Sequence, residues 1–131
     1  MTEFEKALQE TLKGINKAFE VADADLHEEA AAASKAVANV TDGKATLELV
    51  VVGESEGGIT YDLTLTAGEQ KWPLLRVEVP RKGYPINMGS SSIPNRQKLA
   101  GTFADMATNP DSPLVTNLAF LLRRQGATAA G

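Results

Sequence analysis

The densest group of side chains able to do chemistry lies early in the chain: Asp23, Asp25, His27, Glu28 and Glu29. Carboxylates and imidazole ligate metal ions and serve as general acids and bases. Their spacing here is not that of an ordered ligand loop. Acids also belong at the start of a helix, where they complement its dipole. The cluster therefore reads first as helix-terminal charge, with a site near His27 as the enzymatic alternative. His27 is the only histidine. A serine nucleophile would need it close by, with an orienting carboxylate, and no Gly-x-Ser-x-Gly elbow is present. Glu54 and Glu56 read as loop charges rather than an acid–base pair.

A second set follows near residues 89–98. Gly89-Ser90-Ser91-Ser92 could offer backbone N–H groups to an anion, with Arg96 and Lys98 nearby. A phosphate loop needs more glycine at defined places, an internal lysine, and a strand feeding a helix. Ser90, Ser91 and Arg96 are thus a secondary anion-binding candidate beside the reading as a plain loop. A third set surrounds a Pro-punctuated turn: Trp72, Arg81, Tyr84 and Ile86. Aromatic and amphipathic side chains anchor protein interfaces. These four are the candidate protein-binding residues, weighed against simple packing at the rim of a core. No catalytic residue, metal ligand set or cofactor is assigned.

Composition narrows the field. The chain has 131 residues, 43% of them hydrophobic and 5% aromatic, enough for one domain with a mostly aliphatic core. The net charge of -4 disfavours a nucleic-acid partner, which calls for a basic surface. There are 0 cysteines, so disulfides, thiol nucleophiles and cysteine-ligated metals are excluded. The start of the chain lacks the basic, apolar pattern of a secretory leader. The apolar runs are too short to span a bilayer. The expectation is a cytoplasmic protein with no membrane partner.

The elements that must position these groups follow from periodicity. Phe4, Leu8, Leu12, Ile15 and Phe19 recur at helical spacing on one face. A break is expected over 21–25. Asp25 would cap a second helix, with Glu28 three residues on. Leu26, Ala30, Ala33, Val37 and Val40 form its face, and Asp42-Gly43 ends it. Residues 45–52 read as a strand, and their blurred alternation suggests a central one buried on both faces. Residues 59–66 alternate cleanly. Leu75, Val77 and Val79 line a third strand that Pro80 ends. Short turns make these an antiparallel meander. Residues 83–94 read as a loop without periodicity. Leu99, Phe103 and Met106 mark a helix. Asn109-Pro110-Asp111-Ser112-Pro113 stops it and starts another, with Asp111 or Ser112 as the cap. Leu114, Leu118, Leu121 and Leu122 form the last stripe.

The stretch Asn109-Pro110-Asp111-Ser112-Pro113-Leu114-Val115 resembles the Asn-Pro-Asp-Asp-Pro-Leu-Val motif of ubiquitin-conjugating enzymes, with Ser112 as the one departure. Val79-Pro80 and Tyr84-Pro85 resemble that family's Phe-Pro-x-x-Tyr-Pro exit from its third strand, with one extra residue between them. The following Pro-Pro, the His-Pro-Asn segment and the catalytic cysteine are missing. The resemblance implies a non-catalytic relative, akin to the family's inactive variants and RWD domains, that binds a protein or peptide. Thioester chemistry needs a thiol and is ruled out.

The expectation is one α+β domain over 1–125 with a flexible tail over 126–131. A three- to four-stranded antiparallel meander would be packed on one face by N- and C-terminal helices. Its expected function is non-catalytic protein or peptide binding, as a monomer or homodimer. The alternatives are a small acidic secretion-type chaperone that binds an extended client as a dimer, and an enzyme or anion-binding protein near His27 or 90–96.

Overall fold

The computed structural model describes the backbone of residues 2–130 and the side chains of residues 2–124. The expected tail over 126–131 lies beyond the described side chains. The elements run α1 (Glu3–Val40), β1 (Thr46–Ser55), β2 (Gly58–Ala67), β3 (Gln70–Pro80), β4 (Ile86–Met88), β5 (Ser91–Ile93), α2 (Arg96–Thr108) and α3 (Pro113–Ala130).

The first helix is one continuous element of 38 residues, where two were expected. Residues 21–25 contain no proline or glycine, so nothing there forces a break. Asp25 is not a cap. It lies inside the helix, and its carboxylate is engaged by groups from elsewhere in the fold. The true caps are at the ends. Thr2 accepts a hydrogen bond from the Glu5 N–H at 3.1 Å. At the other end the Gly43 N–H donates to the Ala38 carbonyl at 2.7 Å, and Asp42 has a φ of 54°. That is the Schellman arrangement, which satisfies an orphan carbonyl.

The sheet is a five-stranded antiparallel meander in the order β1-β2-β3-β4-β5, one strand or more beyond expectation. The extra strands are β4 and β5, three residues each, in the segment read as a loop. They are too short to show a period. Leu47 pairs with Leu65, Leu49 with Leu63, and Leu63 with Leu75. Helices cover this face. Leu47, Tyr61, Leu63, Leu65, Val77 and Val79 meet Ala22, Leu26, Ala30 and Val37 of α1, and Leu99, Phe103 and Met106 of α2, in one buried cluster.

The opposite face is polar. Asp62 pairs with Arg76 at 3.2 Å, and Glu48 accepts from Thr66 at 2.9 Å and from Lys71 at 3.5 Å. These cross-strand contacts suit a solvated surface.

β1 is an edge strand, not the central strand that its apolar run suggests. Its Val51 and Val52 are 56% and 45% exposed.

Two glycines are needed where backbones meet. A Cβ at Gly58 would strike the Val79 carbonyl oxygen. One at Gly83, whose φ is 85°, would come within 2.5 Å of the Ala18 carbonyl oxygen. Gly83 thus lets the loop after β3 lie against α1.

The segment 109–113 works as a helix stop and start. Ser112 is the cap: its hydroxyl accepts from the Val115 N–H at 3.2 Å and donates to the Met106 carbonyl at 2.6 Å. Asn109 Oδ1 accepts from the Asp111 N–H at 2.9 Å, an Asx turn.

Candidate functional site

Two features stand out: a polar network at the middle of α1, and an open groove where α1 runs beside β1.

The network has two arms. Asp23 and His27 are four apart on α1 and share one flank. Between them comes the Tyr61 hydroxyl of β2, which donates to Asp23 Oδ1 at 2.7 Å and lies 3.1 Å from His27 Nε2. The two rings meet edge to face at 5.3 Å. On the other flank the Tyr84 hydroxyl donates to Asp25 Oδ2 at 2.7 Å. Arg96, the first residue of α2, donates to Asp25 Oδ1 at 2.7 Å, Glu28 Oε2 at 3.0 Å and Glu29 Oε1 at 3.1 Å. The helix-cluster acids thus receive partners from β2, from the loop after β3 and from α2.

Electrostatics assign the network a job. Burial, and then the hydrogen bond to Asp23, push the Tyr61 phenol well above its usual range. Burial and Asp25 do the same for Tyr84. Both phenols therefore stay protonated and donate. Glu28, then Asp25, raise the Arg96 guanidinium, against a smaller opposing effect of desolvation. The guanidinium is shared by three carboxylates through charge-assisted hydrogen bonds. Tyr61, Tyr84 and Arg96 each donate to a carboxylate of α1. Among the described residues no buried side-chain N or O lacks a partner, and no group of three His, Asp or Glu could hold a metal ion. The network fastens α1 to the sheet and to α2.

The expected site residues are scattered by this arrangement. Arg96 is turned toward α1 and taken up by carboxylates, away from an anion site. Ser90 and Ser91 are exposed at the β4–β5 turn. Tyr84 meets Arg96 through Asp25, an association the sequence did not show. Trp72 pairs with Leu65 near the start of β3, whereas Arg81 follows its end. The nine intervening steps span about 30 Å of extended chain. Ile86 is 0% exposed and belongs to the core. The four expected protein-binding residues therefore do not make one surface. Arg81 borders a groove of about 340 Å³, with Leu12, Ile15, Phe19, Glu54 and Ile59, at the β1–β2 end of the sheet.

The second feature is better shaped for a partner. Between α1 and β1 lies a groove of about 480 Å³, walled by Ala30, Ala31, Ser34 and Ala38 and floored by Thr46, Leu47 and Leu49. The small helix residues hold the wall back from the strand. Among the described residues β1 pairs only with β2, so its outer edge carries no further strand. The Leu47 N–H donates outward to Ser34 Oγ at 3.1 Å. Antiparallel ladders alternate inward and outward groups. Leu49, two residues on, therefore points its N–H and C=O toward the groove as well, and Val51 follows at the ladder's irregularity.

The sequence carried one signal of this edge. The run Leu49-Val50-Val51-Val52 lacks the alternation of a half-buried strand, and an edge strand with apolar outward residues gives that pattern too. Comparison with protein-family models, with curated proteins and with solved structures finds no match to this chain.

Proposed function

We propose that this protein is a non-catalytic binding module that takes up an extended, apolar segment of a protein partner on the open edge of β1. The observation that carries the reading is the unpaired edge of β1 at Leu47 and Leu49 beside the alanine-walled groove of α1. Strand addition at such an edge draws affinity from main-chain hydrogen bonds, and pockets for alternate side chains supply selectivity. Val51 and Val52 favour an apolar ligand. The resemblance of 109–115 and of the Tyr84-Pro85 exit to ubiquitin-conjugating enzymes supports the non-catalytic part, because the chain has 0 cysteines.

Selection from a displayed library of extended peptides tests the proposal. Binders should be rich in β-branched and aromatic residues. Val51→Lys should weaken them at least about tenfold, the range of one lost buried contact. Val51→Pro should do so as well, because proline removes a backbone donor from the edge strand. Binding left intact by both substitutions in a folded protein would remove β1 as the site.

A small acidic chaperone that holds an extended client as a dimer would use the same edge. The exposed apolar residues at the start of α1 favour that variant, because they provide a surface for a second subunit.

A further inference from the structure

No strand pairs with the outer edge of β1 among the described residues, yet the start of that edge is not empty. Backbone groups of a strand alternate in direction, so the N–H groups of residues 45, 47 and 49 point to one side. The Ala45 N–H, just before β1, donates to Thr41 Oγ1 at 3.0 Å. The Leu47 N–H donates to Ser34 Oγ at 3.1 Å. Thr41 is the C-cap of α1, and Ser34 lies about two turns before it. Thr41 also donates to the Val37 carbonyl at 2.8 Å and is 3% exposed, so its rung is sealed. Ser34 stands half-buried in the wall of the groove.

The series ends at Leu49. Toward the start of α1 the groove wall continues with Ala31 and Ala30, whose methyl groups accept nothing. His27 lies beyond them, with its Nε2 set against the Tyr61 hydroxyl at 3.1 Å. Among the described residues no side chain accepts from the Leu49 N–H. An unpaired N–H at a sheet edge is a template for another strand. Two consecutive rungs are thus closed by α1 hydroxyls, and the third is open.

We propose that Ser34 sets where a partner strand begins on β1: its hydroxyl fills the rung at Leu47, so an extended apolar segment engages from Leu49 onward. The inference rests on the reading of β1 as the binding edge and adds a register to it. An incoming carbonyl aimed at Leu47 finds that N–H already spent, and a desolvated carbonyl without a donor is costly. The segment is therefore displaced toward Leu49, where its side chains meet the methyl groups of Ala30 and Ala31. Thr41 closes the edge from within the core, and Ser34 marks the boundary between the closed and the open part.

Amide hydrogen exchange and peptide selection on the wild type, Ser34→Ala and Ser34→Thr test this. Alanine is a strong helix former, so the first variant keeps α1 intact. In the free wild-type protein the Leu47 N–H should exchange slowly and the Leu49 N–H fast. Ser34→Ala should bring Leu47 to the rate of Leu49, and Ser34→Thr, which keeps a hydroxyl, should not. Peptides selected on the wild type from a displayed library of extended segments should protect Leu49 and leave Leu47 unchanged. Selection on Ser34→Ala should yield peptides that protect both amides and bind about two- to tenfold tighter, the range of one further backbone hydrogen bond. A merely structural role for Ser34 would weaken binding or leave it unchanged. Peptides that protect Leu49 but gain nothing from Ser34→Ala would overturn the role of Ser34 and leave β1 as the binding edge. Unchanged Leu47 exchange in Ser34→Ala would overturn it too. A lack of any peptide that protects Leu49 would overturn both the register and the binding edge.

Discussion

The two halves of α1 are written alike and end differently. Phe4, Leu8, Leu12, Ile15 and Phe19 recur eighteen residues later as Ala22, Leu26, Ala30, Ala33 and Val37. Eighteen residues are five turns of helix, so the two sets share one face. The later set is the less apolar, with three alanines, and contributes four buried members: Ala22, Leu26, Ala30 and Val37. The earlier set holds two phenylalanines, and its first three members are exposed. Hydrophobicity did not decide which half is buried. Small residues let α1 lie close over the sheet, and the polar network around 23–29 pins that half in place. The bulky half extends past the end of the strands.

The sharpest way to break the comparison is to truncate equivalent positions. Leu26→Ala should cost about 2–5 kcal/mol in urea unfolding, as for a buried leucine that leaves a cavity. Its counterpart Leu8→Ala should stay within about 0.5 kcal/mol. Similar losses at both sites would show that the first half is packed after all.

The junction of the halves should respond next. Gly83→Ala introduces a Cβ against the Ala18 carbonyl oxygen at a φ of 85°. A loss of about 1–3 kcal/mol in thermal unfolding is expected. A neutral outcome would mean that the loop after β3 does not rest on α1.

The network can be dissected by substitution. Asp25→Ala leaves the buried end of Tyr84 without its acceptor and should cost about 1–3 kcal/mol. Tyr84→Phe, which removes only the donor, should cost about 1 kcal/mol. An Asp25→Ala effect no larger than that of Tyr84→Phe would show that Arg96 contributes little through this carboxylate.

The smallest effect concerns pH. The chain has 2 tyrosines, Tyr61 and Tyr84, and both phenols are raised above the ordinary value of 10.0. A group whose pKa is raised on folding binds more protons in the folded state. Its contribution is whole below pH 10 and is lost as pH climbs above that value. Unfolding temperature should therefore hold steady up to about pH 10 and then fall. Tyrosinate absorbance should appear together with unfolding rather than before it. Phenol titration at the ordinary value in a still folded protein would place the tyrosines in solvent.

Much of the architecture was legible in the chain. The α+β class, the antiparallel meander over β1–β3, the face of α2 and, except for Leu122, which is 44% exposed, the stripe of α3 follow from period and turn chemistry. The Ser112 cap and the Asp42-Gly43 turn were readable because caps are local. The break expected over 21–25 was not there. Asp23 and Asp25 are mediocre helix residues, and their partners Tyr61, Tyr84 and Arg96 come from 38, 59 and 71 positions away. Propensity yields to such contacts. The placement of β1 was hidden for a related reason: the same valine-rich run fits a buried centre or an open edge.

Composition and periodicity by themselves determined that this chain has no thiol chemistry, a net negative charge, amphipathic helices and an antiparallel meander. Those properties are local or additive, so residue types and spacing contain them. Only the tertiary structure decided which part of the stripe is covered, which strand forms the edge, and that the acids of 23–29 fasten α1 to the sheet and to α2. Each of those outcomes depends on the relative lengths of helix and strand and on groups distant in the chain that folding brings within hydrogen-bond reach.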